Sequence, residues 1–507
     1  MKPLTVVTPY NPGPFFEKIL FSLTKSALIE CVMIVSQEPV PLKIPRCRVL
    51  VAGPLPSHET LSLILAEIRT KYLLLLLGSQ QISIEPKALE RILGKAESTK
   101  AGLVYSDFYD GSEHGKTLHP LNDYQPGSVR DDFDFGAMIL FSVTAARKAL
   151  KKYGVIRGVK SASLYDLRLK VSLDHSVYHL QAPLYSVIGP MIGTGGPSYE
   201  LWGSEKIFAY VDPRNEAVQK EMEAVFTDYL KKIGAYLPPH FREIEQTLKS
   251  FSVEASVVIP VRNRKETIAE AVKSALSQET GFPFNIIVVD NHSTDGTTTI
   301  LSNLAKQYAS LKHIVPKRID LGIGGCWNEA LRQEACGRYA VQLDSDDLYN
   351  SSRTLQKMVD MLRQGSYGMV IGSYTLVDSR LKEIPPGHID HREWTDENGH
   401  NNALRINGLG APRALNTGLM RKIGFLNVSY GEDYAAALRV CREYRIGRIY
   451  ESLYLCRRWS GNTDAALSIE EANRNDFLKD KIRTIEILAR QEMNRKITNK
   501  NDIGHGA

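Results

Sequence analysis

The sequence predicts an α/β protein made of two similar units, each built on a mainly parallel sheet. Three observations support this: short apolar strands alternate with helices, the two halves echo one another, and 507 residues exceed what one ordinary core accommodates. In the second half the alternation is regular. SVVIPV (256–261) reads as a strand, KETIAEAVKSALSQ (265–278) as a helix, FNIIVVDN (284–291) as a strand and TTTILSNLAKQYA (297–309) as a helix. HIVPKR (313–318), GGCWNEALRQEA (324–335) and YAVQLD (339–344) continue as strand, helix and strand. In an open sheet of this kind, ligands bind beyond the carboxyl ends of the strands. Val261 to Asn263, Asp290, Asp320 and the acids from Asp344 onward fall at those ends, so they are expected to meet in one crevice.

Four matches in the same order carry the repeat. LTVVTPYN (4–11) resembles ASVVIPVRN (255–263), and TKYLLLLLGSQQI (70–82) resembles GRYAVQLDSDDL (337–348). LYDLRLKV (164–171) resembles DYAAALRV (433–440), and APLYSV (182–187) resembles ESLYLC (451–456). The expected organisation is a first unit over 1–195, a helical connector over 196–252, a second unit over 253–470 and a helical, polar tail over 471–507. Inside the connector, Val218, Met222, Val225, Phe226 and Leu230 fall on one side of a helix that a glycine and a proline pair close.

Composition narrows the class. A hydrophobic content of 43% and a charged content of 24% describe a folded globular chain. The net charge of +6 is too weak to argue for nucleic acid, and none is expected as a partner; it suits phosphate-bearing ligands or an anionic lipid surface. No run approaches the ~20 apolar residues of a membrane span, and LLLLL (73–77) has the length of a buried strand. MKPLTVVTPYNPG enters a strand without the apolar core of a signal peptide, so cytoplasmic residence is expected, with peripheral association at the inner membrane face. The six cysteines form no CxxC pair and are expected to be reduced thiols.

The segment richest in chemistry is LDSDDLY (343–349), where an apolar strand ends in Asp344, Asp346 and Asp347. Carboxylates this close repel one another, so the cluster makes sense around a cation or a hydroxyl-rich ligand. It stands in series with PVRNRKETI (260–268), VVDNHSTDGT (288–297), LGIGGCWNEAL (321–331) and GEDYAAALR (431–439). In that order and spacing the set resembles the inverting family-2 glycosyltransferases of GT-A fold, over about 253–463. The whole chain then reads as two tandem GT-A domains, Rossmann-like nucleotide-diphospho-sugar transferase folds joined by the helical connector.

The resemblance implies roles residue by residue. Pro260, Val261 and Asn263 would border the nucleotide base, Asp290 would hydrogen-bond it, and Asn291 stands where many members carry a second aspartate. The DxD motif maps onto Asp344, Ser345 and Asp346, with Asp344 near the ribose or sugar hydroxyls, Asp344 and Asp346 at a Mg or Mn ion, and Asp347 assisting. Such an ion would absorb the charge that builds on the departing diphosphate. Glu432 and Asp433 match the ED motif, which makes Asp433 the general base and leaves Glu432 to orient the acceptor. Arg318 and Arg458 are candidates for the diphosphate, and Trp459 for covering the site. The implied reaction is a hexosyl transfer from a nucleotide sugar to a hydroxyl, in bacterial polysaccharide or glycoconjugate biosynthesis. UDP-sugars head the expected donors, ahead of GDP- and dTDP-sugars. The acceptor would be a glycan, a lipid-linked molecule or a protein, and a second copy of the chain is an expected partner.

The first unit is expected to be chemically empty. Gly78, Ser79, Gln80 and Gln81 replace the acids of the second unit, and Ser163 and Leu164 replace Glu432 and Asp433. A degenerate GT-A-like module that scaffolds, dimerises or binds acceptor glycan fits this best. The missing acids weigh against a bifunctional glycan polymerase. A non-enzymatic glycan or nucleotide-sugar binding protein is the main rival reading, with intact Asp346 and Asp433 against it. HIDHRE (388–393) is expected to be a solvated loop near the acceptor, and GIGG (322–325) either a phosphate loop or a point of close helix packing.

Overall fold

The computed structural model describes residues 2–77, 81–112, 115–156, 158–188, 215–244, 250–364, 367–459, 461–462 and 467–504. Gly78, Ser79 and Gln80 lie outside the described residues, as does the expected boundary at 195–196. The chain divides into two compact units, one formed by Met1–Tyr236 with Ser468–Ala507 and the other by Leu237–Leu467.

In the first unit a seven-stranded sheet runs in the order Cys47–Val51, Ile29–Ser36, Leu4–Pro9, Tyr72–Leu76, Met138–Ser142, Leu103–Ser106, Val177–Leu180. In the second unit the corresponding order is Leu311–Ile314, Phe284–Asp290, Ala255–Val261, Tyr339–Gln342, Arg413–Asn416, Tyr367–Val377, Arg445–Arg457. Strand directions also agree position by position: only the fifth strand is antiparallel to its two neighbours. Even a local detail repeats. The side chain of Ser142 caps the helix after the fifth strand by accepting from the amide of Ala145, as Asn416 does from that of Leu419. The duplication read from four short matches is therefore a duplication of topology.

The central strands are apolar because helices cover both of their faces. Tyr72–Leu76 is buried at every position, and so is Tyr339–Gln342. Two expected elements shift. The third strand of the second unit is Leu311–Ile314 rather than 313–318, since Pro316 has no N–H for the ladder. The connector does not stand apart: its helix, Glu216–Lys232, buries Met222, Val225, Phe226 and Leu230 within the first unit.

The helical, polar tail expected over 471–507 is a single helix, Ile469–Gly504, grouped with the first unit. Its polar composition concealed a buried face on which charges are paired. Arg130 meets Asp132 at 2.9 Å, Asp476 at 3.0 Å and Asp480 at 3.3 Å, while Ser128 donates to Asp480 at 2.9 Å. Within the helix, Arg483 pairs with Asp480 and Arg490 with Glu486, each at 2.8 Å. Gly127 permits the approach, because a Cβ there would lie 2.0 Å from the Asp480 carbonyl oxygen. None of the helices among the described residues is long and apolar enough to cross a membrane.

One buried titratable group in the first unit makes its stability depend on pH. His179 contacts Asp123 at 2.7 Å through Nδ1 and Asp107 at 2.8 Å through Nε2, and stacks on Tyr105. Burial disfavours the charged ring, but the hydrogen bonds to the two aspartates outweigh it and raise the pKa above the ordinary value. This stabilisation is full below the unfolded-state pKa and fades as pH rises through the higher folded-state value. His179→Gln should therefore flatten the difference in unfolding stability between about pH 6 and pH 9, measured by denaturant titration. An unchanged pH slope would contradict the charged-histidine assignment.

Candidate functional site

The first and second strands of the second unit end in loops that are laced together. The Asn291 amide donates to the Val261 carbonyl at 2.8 Å, and Pro260 and Val261 lie in register with Val289 and Asp290. Asn263 has a left-handed backbone, φ 54°, which asparagine tolerates well. Its amide donates to Ser293 at 2.9 Å and its side-chain oxygen accepts from the Thr294 amide at 2.8 Å.

Asp290 is fully buried in this arrangement. Its carboxylate accepts from the Ser293 amide at 3.0 Å and from Thr298 at 2.6 Å, with His313 at 3.3 Å. Burial alone would raise its pKa; the hydrogen bonds from His313, Ser293 and Thr298 prevail and hold it below the usual carboxylate range. Asp290 thus organises the loop from inside. Asn291 is also buried, donating to the Leu321 carbonyl at 2.8 Å.

The acidic motif follows Tyr339–Gln342. Gln342 donates to both oxygens of Asp344, at 2.9 and 3.0 Å, and Thr267 donates to the Ser345 carbonyl at 2.9 Å. Asp346 accepts from Trp459 Nε1 at 3.1 Å and from Asn462 at 3.3 Å, with Arg264 Nε 3.6 Å away. Arg264 also donates to the Gly461 carbonyl and lies over the Trp459 ring. Asp347 is buried and accepts from the Arg457 amide at 2.7 Å. Trp459 thus reaches the acidic motif. For Arg458 the backbone amide bonds the Val377 carbonyl.

Charge in this cluster is unbalanced. Burial pushes the Asp347 carboxyl well above its ordinary pKa, and repulsion from Asp346 and Asp344 adds to the shift. Asp344 moves the same way, first through burial, with Gln342 and Arg413 opposing and Asp346 and Asp433 reinforcing. Hard oxygen donors carrying surplus negative charge suit a divalent cation, and Mg in particular commonly takes one or two carboxylates plus substrate phosphates. No group of three or more His, Cys, Asp or Glu side chains that could hold a metal ion by themselves occurs among the described residues.

Glu432 and Asp433 open the helix Glu432–Cys441 and face different surroundings. Asp433 is partly exposed, pairs with Arg413 at 2.7 Å and accepts from the Tyr434 amide at 2.6 Å. Glu432 is only 8% exposed, its Oε2 has no hydrogen-bond partner, and burial followed by the charge of Asp433 pushes its pKa up to about 8. Of the pair, Glu432 is the enclosed member and Asp433 the one that solvent reaches. The GIGG turn accounts for the helix placement: a Cβ on Gly324 would lie 1.8 Å from the Leu426 carbonyl oxygen and 2.9 Å from Glu432 Cβ. Close packing, not a phosphate loop, explains those glycines.

Other expectations dissolve. Arg318 forms a two-pronged pair with Asp320, at 2.9 and 2.6 Å, on an exposed loop beyond the strand end. His391 is fully buried with Glu393 at 3.0 Å, and Trp394 is core, so HIDHRE is no solvated loop. Conversely, sequence reading gave Arg413 no role. It lies in the fifth strand with its side chain largely buried, and Asp433, Asp344 and Glu432 all hold its charge in place. Arg264, Thr267 and Asn462 were visible only as letters within or beside recognised motifs.

Comparisons with known proteins bear on this same segment. Residues 256–422 match the Glycosyl transferase family 2. EpsE of Bacillus subtilis is 31% identical over 124 residues, covering 24% of this chain and 44% of its own length. The GalNAc(5)-diNAcBac-PP-undecaprenol beta-1,3-glucosyltransferase of Campylobacter jejuni is 31% identical over 118 residues, covering 23% and 37%. The chain thus spans less than half the length of either relative. The structure of S. aureus TarS 1–349 in complex with UDP-GlcNAc is similar at 23% identity and a TM-score of 0.38, over 46% of this chain and 66% of that one. The segment that holds the acidic motif, 256–422, is thus similar to the Glycosyl transferase family 2.

Proposed function

We propose that the second unit transfers a hexose from a nucleotide-diphosphate sugar to an acceptor hydroxyl with inversion, in the assembly of a bacterial polysaccharide or glycoconjugate. The observation that carries the reading is the placement of Asp344 and Asp433 around the single side chain of Arg413, in a unit of which residues 256–422 match the Glycosyl transferase family 2. UDP-sugars are the first choice of donor, and a lipid-linked acceptor accords with the undecaprenol in the name of the Campylobacter relative.

In the proposed displacement, the acceptor oxygen bonds to the anomeric carbon as the bond from that carbon to the diphosphate oxygen breaks. Asp433 takes the acceptor proton; it is the member of the ED pair that solvent reaches, and such a base typically contributes ~100 to 10,000-fold. Arg413 fixes the Asp433 carboxylate in one orientation. Trp459, Arg264 and Asn462 hold Asp346, and Gln342 holds Asp344, so both acids keep their positions before the donor arrives. Asp344 and Asp346 would hold a Mg or Mn ion, which as a Lewis acid stabilises the departing diphosphate.

Asp346→Ala is expected to abolish metal-stimulated nucleotide release, assayed with a UDP-sugar panel with and without Mn; wild-type turnover would remove Asp346 from the metal site. Asp433→Asn should lose roughly 100-fold or more in kcat while retaining donor affinity by calorimetry. Arg413→Ala should lose turnover at nearly unchanged donor affinity, with partial recovery in Arg413→Lys; full activity in the alanine variant would sink the positioning role. Glu432 supplies a test of electrostatics. Its carboxyl, raised to about 8 when folded, costs stability increasingly as pH climbs from its unfolded-state value toward 8. The melting temperature of Glu432→Gln relative to wild type should accordingly rise between about pH 5 and pH 8 and then level off.

A further inference from the structure

The two sheets share a register, so positions in the site of the second unit have counterparts in the first. Leu4 pairs with Tyr72 as Ala255 pairs with Tyr339, and Tyr105 pairs with Ile139 as Ile371 pairs with Arg413. Counting along these strands, Leu75 stands at Gln342, Leu77 at Asp344 and Ile139 at Arg413, which shifts by one residue the sequence pairing that set Gly78 against Asp344. The helix Ser163–Asp174 is fixed by Tyr165, whose hydroxyl donates to the Val129 carbonyl as that of Tyr434 donates to the Ala403 carbonyl. Leu164 therefore stands at Asp433.

Four polar or charged positions have become leucine or isoleucine together, and the space between them has not closed. Leu75, Leu77, Ile139 and Leu164 line one cavity of about 50 Å³, with Phe133 and Phe141 also in its wall. Leu75, Leu77, Ile139 and Phe141 are buried, whereas Leu164 is partly exposed, so the cavity has a dry floor and a rim that solvent reaches. Arg168, also in the wall, commits its guanidinium to the carbonyls of Ser128 and Arg130. At ~10–15 Å³ for each water, the space would take roughly four, but water needs two to four polar partners and the floor offers aliphatic and aromatic carbon.

We propose that the first unit binds the tip of a hydrocarbon chain in this cavity, the end of the isoprenyl or acyl tail of a lipid-linked molecule. The chemistry of the lining selects this occupant. The carboxylate in the wall, Asp131, stands with Ser161 at the partly exposed side, so a metal-bound diphosphate finds one acid where the second unit offers Asp344, Asp346 and Asp347, and a sugar ring seated on the floor would bury hydroxyls against leucine and phenylalanine. A hydrocarbon end gains from leaving water and asks for no polar partner. The volume admits only a short length, so the rest of the chain passes the rim near Ser161 and Leu164. This inference rests on the glycosyltransferase reading of the second unit only for the expectation that the lipid is an acceptor.

Binding can be measured without turnover. The full chain, without metal or donor, is titrated calorimetrically with farnesyl phosphate, with lauryl phosphate and with inorganic phosphate. One site per chain for at least one of the two lipids, and none for inorganic phosphate, is expected; the stronger lipid identifies isoprenyl or acyl recognition. Leu164→Trp and Ser161→Trp, both at the partly exposed rim, should each lower lipid affinity roughly ten-fold or more while leaving the melting temperature near that of wild type. Absence of lipid binding, equal binding of inorganic phosphate, or undiminished affinity in both folded variants would overturn the inference. Lipid binding in a chain that turns over no sugar nucleotide would leave this inference standing and remove the enzymatic reading instead.

Discussion

The candidate site depends on one largely buried cation. Arg413 stands among Asp433, Asp344 and Glu432, and without it three acids would face one another across a space from which water is largely excluded. Its position follows from the sheet: the antiparallel fifth strand runs beside the one that carries the acidic motif, and this sets a guanidinium between that motif and the ED helix. The surrounding charges do not cancel. The pKa values of Asp344, Asp347 and Glu432 are raised first by burial and then by neighbouring acids, and at Asp344 and Glu432 Arg413 offsets this only in part.

Much of this was legible in the chain because it follows from local pattern. Apolar runs alternating with helices gave the fold class, and the acids of LDSDDLY followed by a distant ED gave the donor and base candidates. What was not legible depends on long-range contact. Arg413 lies in APRALN, a stretch with no motif, and acquires meaning only when strand pairing brings it to Asp433. Asp290 looked like a ligand group because it ends a strand, yet Thr298 and His313 enclose it from positions that spacing alone does not relate. The final helix was read as helical, but its buried face was not, because that face is made of arginine and carboxylate and hydropathy cannot tell a paired interior charge from a solvated one.

Duplication followed by unequal fates explains the asymmetry of the two units. Both keep the strand order, the helix cap after the fifth strand and the tyrosine anchor of the following helix. These features hold the fold, and they survive in both copies. The residues that distinguish the copies cluster where the fold leaves freedom, beyond the carboxyl ends of the strands.

The helix Ile469–Gly504 has a consequence for how the chain comes into being. Because the first unit contains both Met1–Tyr236 and the last helix, the second unit is in effect an insertion within it. On the ribosome, every residue of the second unit has been made before the first unit receives the helix that Arg130 and Gly127 await. The later-encoded unit can therefore finish folding first, while the earlier one must persist incomplete, its docking surface for the helix uncovered, until that helix has been made.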